Sequence, residues 1–152
     1  MNIQDFLRKR RVPYVTLSHG TTFSAQHMAH ALHVPGDHVA KTVLLRADDS
    51  YVLAVLQATH AIDMPLVRAA LCAAHVALAP ESDLPEVFTD CDLGVIPPFG
   101  SGYGIKTLVD ESLTHDECIA FEGNTHEETL CVRYQDYEKI EHPQIAAISR
   151  HV

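Results

Sequence analysis

The sequence predicts an α+β fold: one compact domain with a mostly antiparallel or mixed β-sheet and flanking helices. Three observations lead there. Residues 38–56, HVAKTVLLRADDSYVLAVL, hold two apolar runs around the polar turn Asp48-Asp49-Ser50, the pattern of a β-hairpin. Apolar residues recur at helical spacing in segments before and after that hairpin. Strand and helix candidates then follow one another without the strict βα repeat of a doubly wound sheet.

Taken in order, Ile3, Phe6 and Leu7 share a helical face, and Pro13 ends that helix. Tyr14-Val15-Thr16-Leu17 reads as a short strand. From Ser24 onward, Ala25, Met28, Ala29 and Leu32 repeat with helical spacing until Pro35-Gly36 stops the pattern. The hairpin comes next, its second run almost free of polar residues, as a centrally buried strand would be. Asp63 caps a third helix, with Pro65 in its first turn and Val67, Ala70, Leu71 and Ala74 facing inward. Ala77-Leu78-Ala79 is a weak strand, and a short helix spans 83–88. Residues 94–104, GVIPPFGSGYG, contain four of the seven glycines and two adjacent prolines, so they form a loop. Strands are expected at 105–109, 118–121 and 129–134, then a helical tail from Asp136. No repeat, linker or low-complexity tract interrupts the 152 residues, which suit a single domain over 1–152.

Composition narrows the function. Hydrophobic residues at 47% and charged residues at 20% describe an ordinary globule. No stretch has the length of a membrane helix, and MNIQDFLRKRR lacks a signal peptide's apolar run, so the cytoplasm is expected. A net charge of −9 argues against a surface that coats nucleic acid broadly. One basic run stands out: Arg8, Lys9, Arg10 and Arg11 are four of the eleven Lys and Arg residues. It reads either as a solvated helix end or as a local phosphate contact. Cys72, Cys91, Cys118 and Cys131 form no CxxC pair, so no zinc ribbon or redox motif is visible.

Lys41 is the first chemical oddity. It shares a strand face with Val43 and Leu45, where an apolar residue is expected. Either its stem snorkels to water, or its amine is held at a pocket rim for an anionic ligand. GVIPPFG is the second. A glycine permits positive φ or close backbone approach, while Pro97-Pro98 has no N–H to donate and stiffens the turn. Such a loop presents bare carbonyl oxygens, suited to a ligand ammonium. Neither a P-loop nor a dinucleotide fingerprint is present. Among eleven histidines, His27, His30 and His33 recur every third residue, without a carboxylate or cysteine spaced to complete a metal site. His126-Glu127-Glu128 starts like a zincin motif, but Leu130 stands where the second histidine belongs.

HVAKTVLL, then GVIPPFG about fifty residues on, then FEGNTHEETLCV, resemble the YbaK/ProX family of aminoacyl-tRNA deacylases. These are free-standing relatives of the editing domain inserted in bacterial prolyl-tRNA synthetases. The likeness spans nearly the whole chain, including TTFSAQHMAHALHVPG, and rests on the ordered set of motifs. The family lysine falls on Lys41, its GxxxP loop on Gly94, Val95, Ile96, Pro97 and Pro98, and its histidine on His126. The resemblance implies hydrolysis of the ester joining a wrong amino acid, such as Ala, Cys or Ser, to tRNA for proline. Lys41 would lie near the terminal adenosine and its phosphate, and the loop would place the aminoacyl group. Water would attack the ester, helped by the adenosine 2′-hydroxyl or by its own positioning. His126 would orient substrate or water, or shape the pocket. No cofactor or metal is implied. The partners implied are the acceptor end of aminoacyl-tRNA, touched weakly by Arg8, Lys9, Arg10 and Arg11, and a prolyl-tRNA synthetase. Two other readings stand beside this one: a non-catalytic domain binding an amino acid or nucleotide for regulation, and a histidine-patch metal protein.

Overall fold

The computed structural model describes residues 1–18 and 39–151, and the helix expected from Ser24 lies outside them. The chain opens with α1 (Ile3–Lys9), whose first turn is capped by the Asn2 side chain accepting from the Asp5 N–H. Ile3, Phe6 and Leu7 are buried, as their common face requires. After Pro13 comes β1 (Tyr14–Ser18).

The hairpin forms as the sequence indicates. Strands β2 (Ala40–Ala47) and β3 (Ser50–Gln57) pair antiparallel in one register, from Ala40 opposite Gln57 to Ala47 opposite Ser50. Then follow β4 (His60–Ile62), α2 (Met64–Leu71), β5 (Val76–Leu78) and α3 (Leu84–Val87). Asp63 caps α2 by accepting from the Leu66 N–H at 3.2 Å. Cys72 ends that helix in the left-handed conformation. Ala74 therefore lies beyond the helix and is exposed, not inward-facing.

The second half contains β6 (Lys106–Asp110), β7 (Cys118–Glu122), β8 (Glu128–Arg133), α4 (Tyr134–Glu141), β9 (Gln144–Ala146) and β10 (Ser149–His151). The expected helical tail is thus α4, ended by a left-handed His142, and two short strands follow it. A five-stranded sheet runs β5-β2-β3-β6-β9, a three-stranded one β1-β8-β7, and β4 pairs with β10. Because β6 lies parallel to both β3 and β9, the large sheet is mixed.

Each face of the large sheet has its own core. On one, Leu45, Val52, Ala54 and Leu108 pack with Val67 of α2 and with Ile148. On the other, Val55 and Val109 meet Phe6 and Leu7 of α1, Phe121 and Leu130 of the small sheet, and Phe99. Burying apolar side chains of this size contributes about 1.5–3 kcal/mol each. Val39 makes a parallel bridge to Ala120, joining the start of β2 to β7. That junction positions the candidate site. No helix among the described residues is long and apolar enough to cross a membrane.

Candidate active site

The loop at 94–98 takes its shape from both ends. Gly94 sits at φ +84°, a conformation glycine adopts without a Cβ penalty. The turn leading into it is closed by the Val95 N–H donating to the Asp92 carbonyl at 3.0 Å. Val95, Pro97 and Pro98 are buried, and Ile96 packs against Leu44 and Leu53 of the hairpin. Beyond the prolines, Phe99 is wholly buried and makes ring contacts with Phe6, Phe121 and Tyr137.

Helix α4 braces the far side. The Tyr137 hydroxyl, on a fully buried side chain, donates to the Pro98 carbonyl at 2.7 Å. Buried Glu141 accepts from the Ser101 N–H at 3.0 Å and from the hydroxyls of Ser101 and Thr107, each at 2.6 Å. Burial pushes the Tyr137 phenol well above its usual range, so it stays a donor. The carbonyls of Gly94, Val95, Ile96 and Pro97 accept no hydrogen bond from the described residues. This matches the sequence expectation of bare acceptors, with Pro98 as the exception.

His126 is joined directly to this loop. Its Nε2 lies 2.8 Å from the Leu93 carbonyl oxygen, and its Nδ1 lies 2.9 Å from Glu122 Oε2. Its backbone N–H donates to the Asp92 carboxylate at 3.2 Å, and the Asp92 N–H donates to the Asn124 carbonyl at 2.8 Å. The turn at 123–126 and the turn at 92–95 are therefore laced together. Asn124 extends the lacing to α1: its side chain accepts from the Ile3 N–H and donates to the Met1 carbonyl, both at 2.8 Å.

Lys41 enters from β2. Its side chain is partly buried, and among the described residues no carboxylate lies within ion-pair range of it. Desolvation lowers its pKa from the usual lysine value. The Val39–Ala120 bridge sets β2 beside β7, and Lys41 and Glu122 each lie two residues beyond it. Strand alternation puts Lys41 on the side of Val39, and Glu122 on the side of Ala120. The lysine thus belongs to the junction that also carries the Glu122–His126 pair. No hydrogen bond ties it to the loop.

A model of the aminoacyl-tRNA editing domain matches residues 19–140. The chain belongs to this family. Over 110 residues the editing domain is 28% identical to a proline–tRNA ligase of Halalkalibacterium halodurans, covering 70% of the chain and 19% of that ligase. Its fold is similar to that of a crystallised hypothetical protein, with a TM-score of 0.89 at 16% identity over 97% of this chain and 99% of the other. A candidate trans-editing enzyme for prolyl tRNA synthetase matches with a TM-score of 0.83 at 16% identity, over 97% and 94% of the two chains.

The basic run divides in this editing domain. Arg8 pairs with Asp5 and donates to the Tyr14 hydroxyl at 3.1 Å. Arg10 lies 3.6 Å above the centre of the Phe6 ring, in cation–π geometry. Lys9 and Arg11 are exposed, and their side chains make no hydrogen bond or ion pair among the described residues. The histidines at 27, 30 and 33 lie outside those residues, and no group of three His, Cys, Asp or Glu side chains that could hold a metal occurs within them.

Sequence reasoning did not find Glu122, Asn124, Tyr137 or Glu141. Tyr134, Tyr137 and Glu141 follow helical spacing, so the stripe itself was visible. Its targets were not, because Pro98 and Ser101 lie about forty residues away along the chain.

Proposed function

We propose that this editing domain hydrolyses the ester between a mis-attached small amino acid, such as Ala, Cys or Ser, and tRNA for proline. The observation that carries the reading is Lys41: a partly buried amine with no ion-pair partner among the described residues, its pKa lowered by desolvation, at the position to which the sequence resemblance assigns the family lysine. A cation with no carboxylate among the described residues suits an anion brought by a ligand, here the terminal phosphate of tRNA. The carbonyls of residues 94–97 receive the α-ammonium of the aminoacyl group. Water adds to the ester carbonyl, the bond to the ribose oxygen breaks, and that oxygen takes a proton, leaving a free amino acid and intact tRNA. Orientation and fixed charge supply the catalysis. His126 acts through the Leu93 carbonyl that it holds. The reaction belongs in the cytoplasm, on tRNA released by a prolyl-tRNA synthetase.

Multiple turnover separates this from a regulatory binder. One protein molecule should release many amino acids from mischarged tRNA, whereas a binder releases none above the buffer rate. Turnover should persist in EDTA, because orientation and charge suffice for this ester hydrolysis. Loss in EDTA with recovery on adding zinc would instead support a metal site.

The basic run should govern affinity and not chemistry. Lys9→Gln with Arg11→Gln removes the two cations of this run whose side chains have no partner among the described residues. Each lost contact to single-stranded tRNA should flatten the slope of log affinity against log salt by about 0.7. The single-turnover rate at saturating tRNA should hold. An unchanged slope would make residues 8–11 a solvated helix end.

A further inference from the structure

Glu122 ends β7 immediately before the turn that carries His126. Its Oε2 lies 2.9 Å from His126 Nδ1, and the two side chains are only 16% and 17% exposed, so water competes weakly for the contact. The Leu93 carbonyl can only accept, so His126 Nε2 must carry a hydrogen to make its 2.8 Å bond. The other ring nitrogen, Nδ1, faces the Glu122 carboxyl group. The ring is thereby held at both nitrogens.

The held end matters for the loop. Leu93 is 77% exposed, so packing does not fix its peptide. The His126 bond does, one residue before Gly94 and its positive φ. Leu93, Gly94 and Val95 also wall a cavity of about 240 Å³ with Phe88 and Cys91. A shift at Leu93 would move this wall and the acceptor carbonyls together.

Building on the deacylase reading, we infer that Glu122 is a positioning residue that, through His126, sets the Leu93–Gly94 peptide and the acceptor loop beyond it. Glutamine at this position can donate from its amide to Nδ1 while Nε2–H stays on Leu93, keeping the geometry without the charge. Alanine breaks it.

The test compares Glu122→Ala and Glu122→Gln by kinetics on mischarged tRNA and by backbone amide NMR. Glu122→Ala should lower kcat about 10- to 100-fold with KM little changed, the scale of a misplacement near 1 Å. Glu122→Gln should stay within about threefold of the parent kcat, because it retains that placement. The Gly94 and Val95 amide resonances should move in the alanine variant and stay in the glutamine one. If Glu122→Ala does not fold, Glu122→Met, closer in volume, replaces it. Parent-like kcat with unmoved amides in the disrupted variant would overturn the inference. So would a glutamine variant as slow as alanine with its loop amides in place, since that points to charge. Should the parent hydrolyse none of the substrates, the deacylase reading fails, and the amide shifts still decide whether Glu122 positions the loop.

Discussion

Lys41→Met is expected to abolish deacylation and to leave thermal stability at or above that of the parent. The two effects share one cause. In the folded chain the ammonium is partly buried, no described carboxylate pairs with it, and desolvation lowers its pKa. A lysine whose folded-state pKa lies below the unfolded one costs stability while it is charged in both states. That cost is relieved as pH rises from the folded value through the unfolded one. Methionine keeps the stem's packing and removes the charge, so the fold loses nothing and the substrate phosphate loses its partner. A stability gain coupled to lost function marks a residue kept for its chemistry. Parent-like turnover in a folded Lys41→Met protein would remove Lys41 from the site. A clear fall in melting temperature with turnover intact would make it a structural lysine.

Gly94→Val should be the second large effect, and it separates strain from crowding. A Cβ at Gly94 would meet nothing within 4 Å, so the space is open in the free protein. The backbone is the obstacle: φ is +84°, where a non-glycine residue costs about 1–3 kcal/mol. Valine should relax the turn toward negative φ, pulling the Leu93 carbonyl off His126 and moving the acceptor carbonyls. A rate loss of about 100-fold is expected from displacement of that order. Ser101→Ala is the control within the same segment. It deletes one hydroxyl contact to Glu141, worth about 1 kcal/mol, while the Ser101 N–H and Thr107 still hold that carboxylate. Its rate should stay within about threefold of the parent, under half the barrier change that a tenfold loss needs. Equal, mild effects at both positions would reduce the loop to a connector.

What was legible in the sequence follows the range of the interactions involved. The β2–β3 hairpin was readable because its alternation, apolar run and Asp-Asp-Ser turn are all local. The α1 face, the Asp63 cap and the freedom needed at Gly94 were readable for the same reason. Strands β4, β9 and β10, three residues each, were not foreseen. Segments that short carry no period, and their strand character comes from distant partners, as when Gln144 lines up with Leu108. The site divides in the same way. Lys41 and the loop at 94–98 announced themselves by residue type against local context. The ties that hold the loop did not: His126 reaches Leu93 across 33 residues, and Tyr137 reaches Pro98 across 39. His126 was visible as a candidate, yet its manner of action depends on partners that spacing does not reveal.

The most direct measurement is single-turnover release of labelled amino acid from a panel of mischarged tRNAs, with the protein in excess, for the parent and Lys41→Met. The account predicts ester loss well above the buffer rate for at least one small amino acid on tRNA for proline. It also predicts a return to the buffer rate in the variant. Binding of the same tRNAs with no hydrolysis of any by the parent protein would contradict it, and would leave this editing domain a binder.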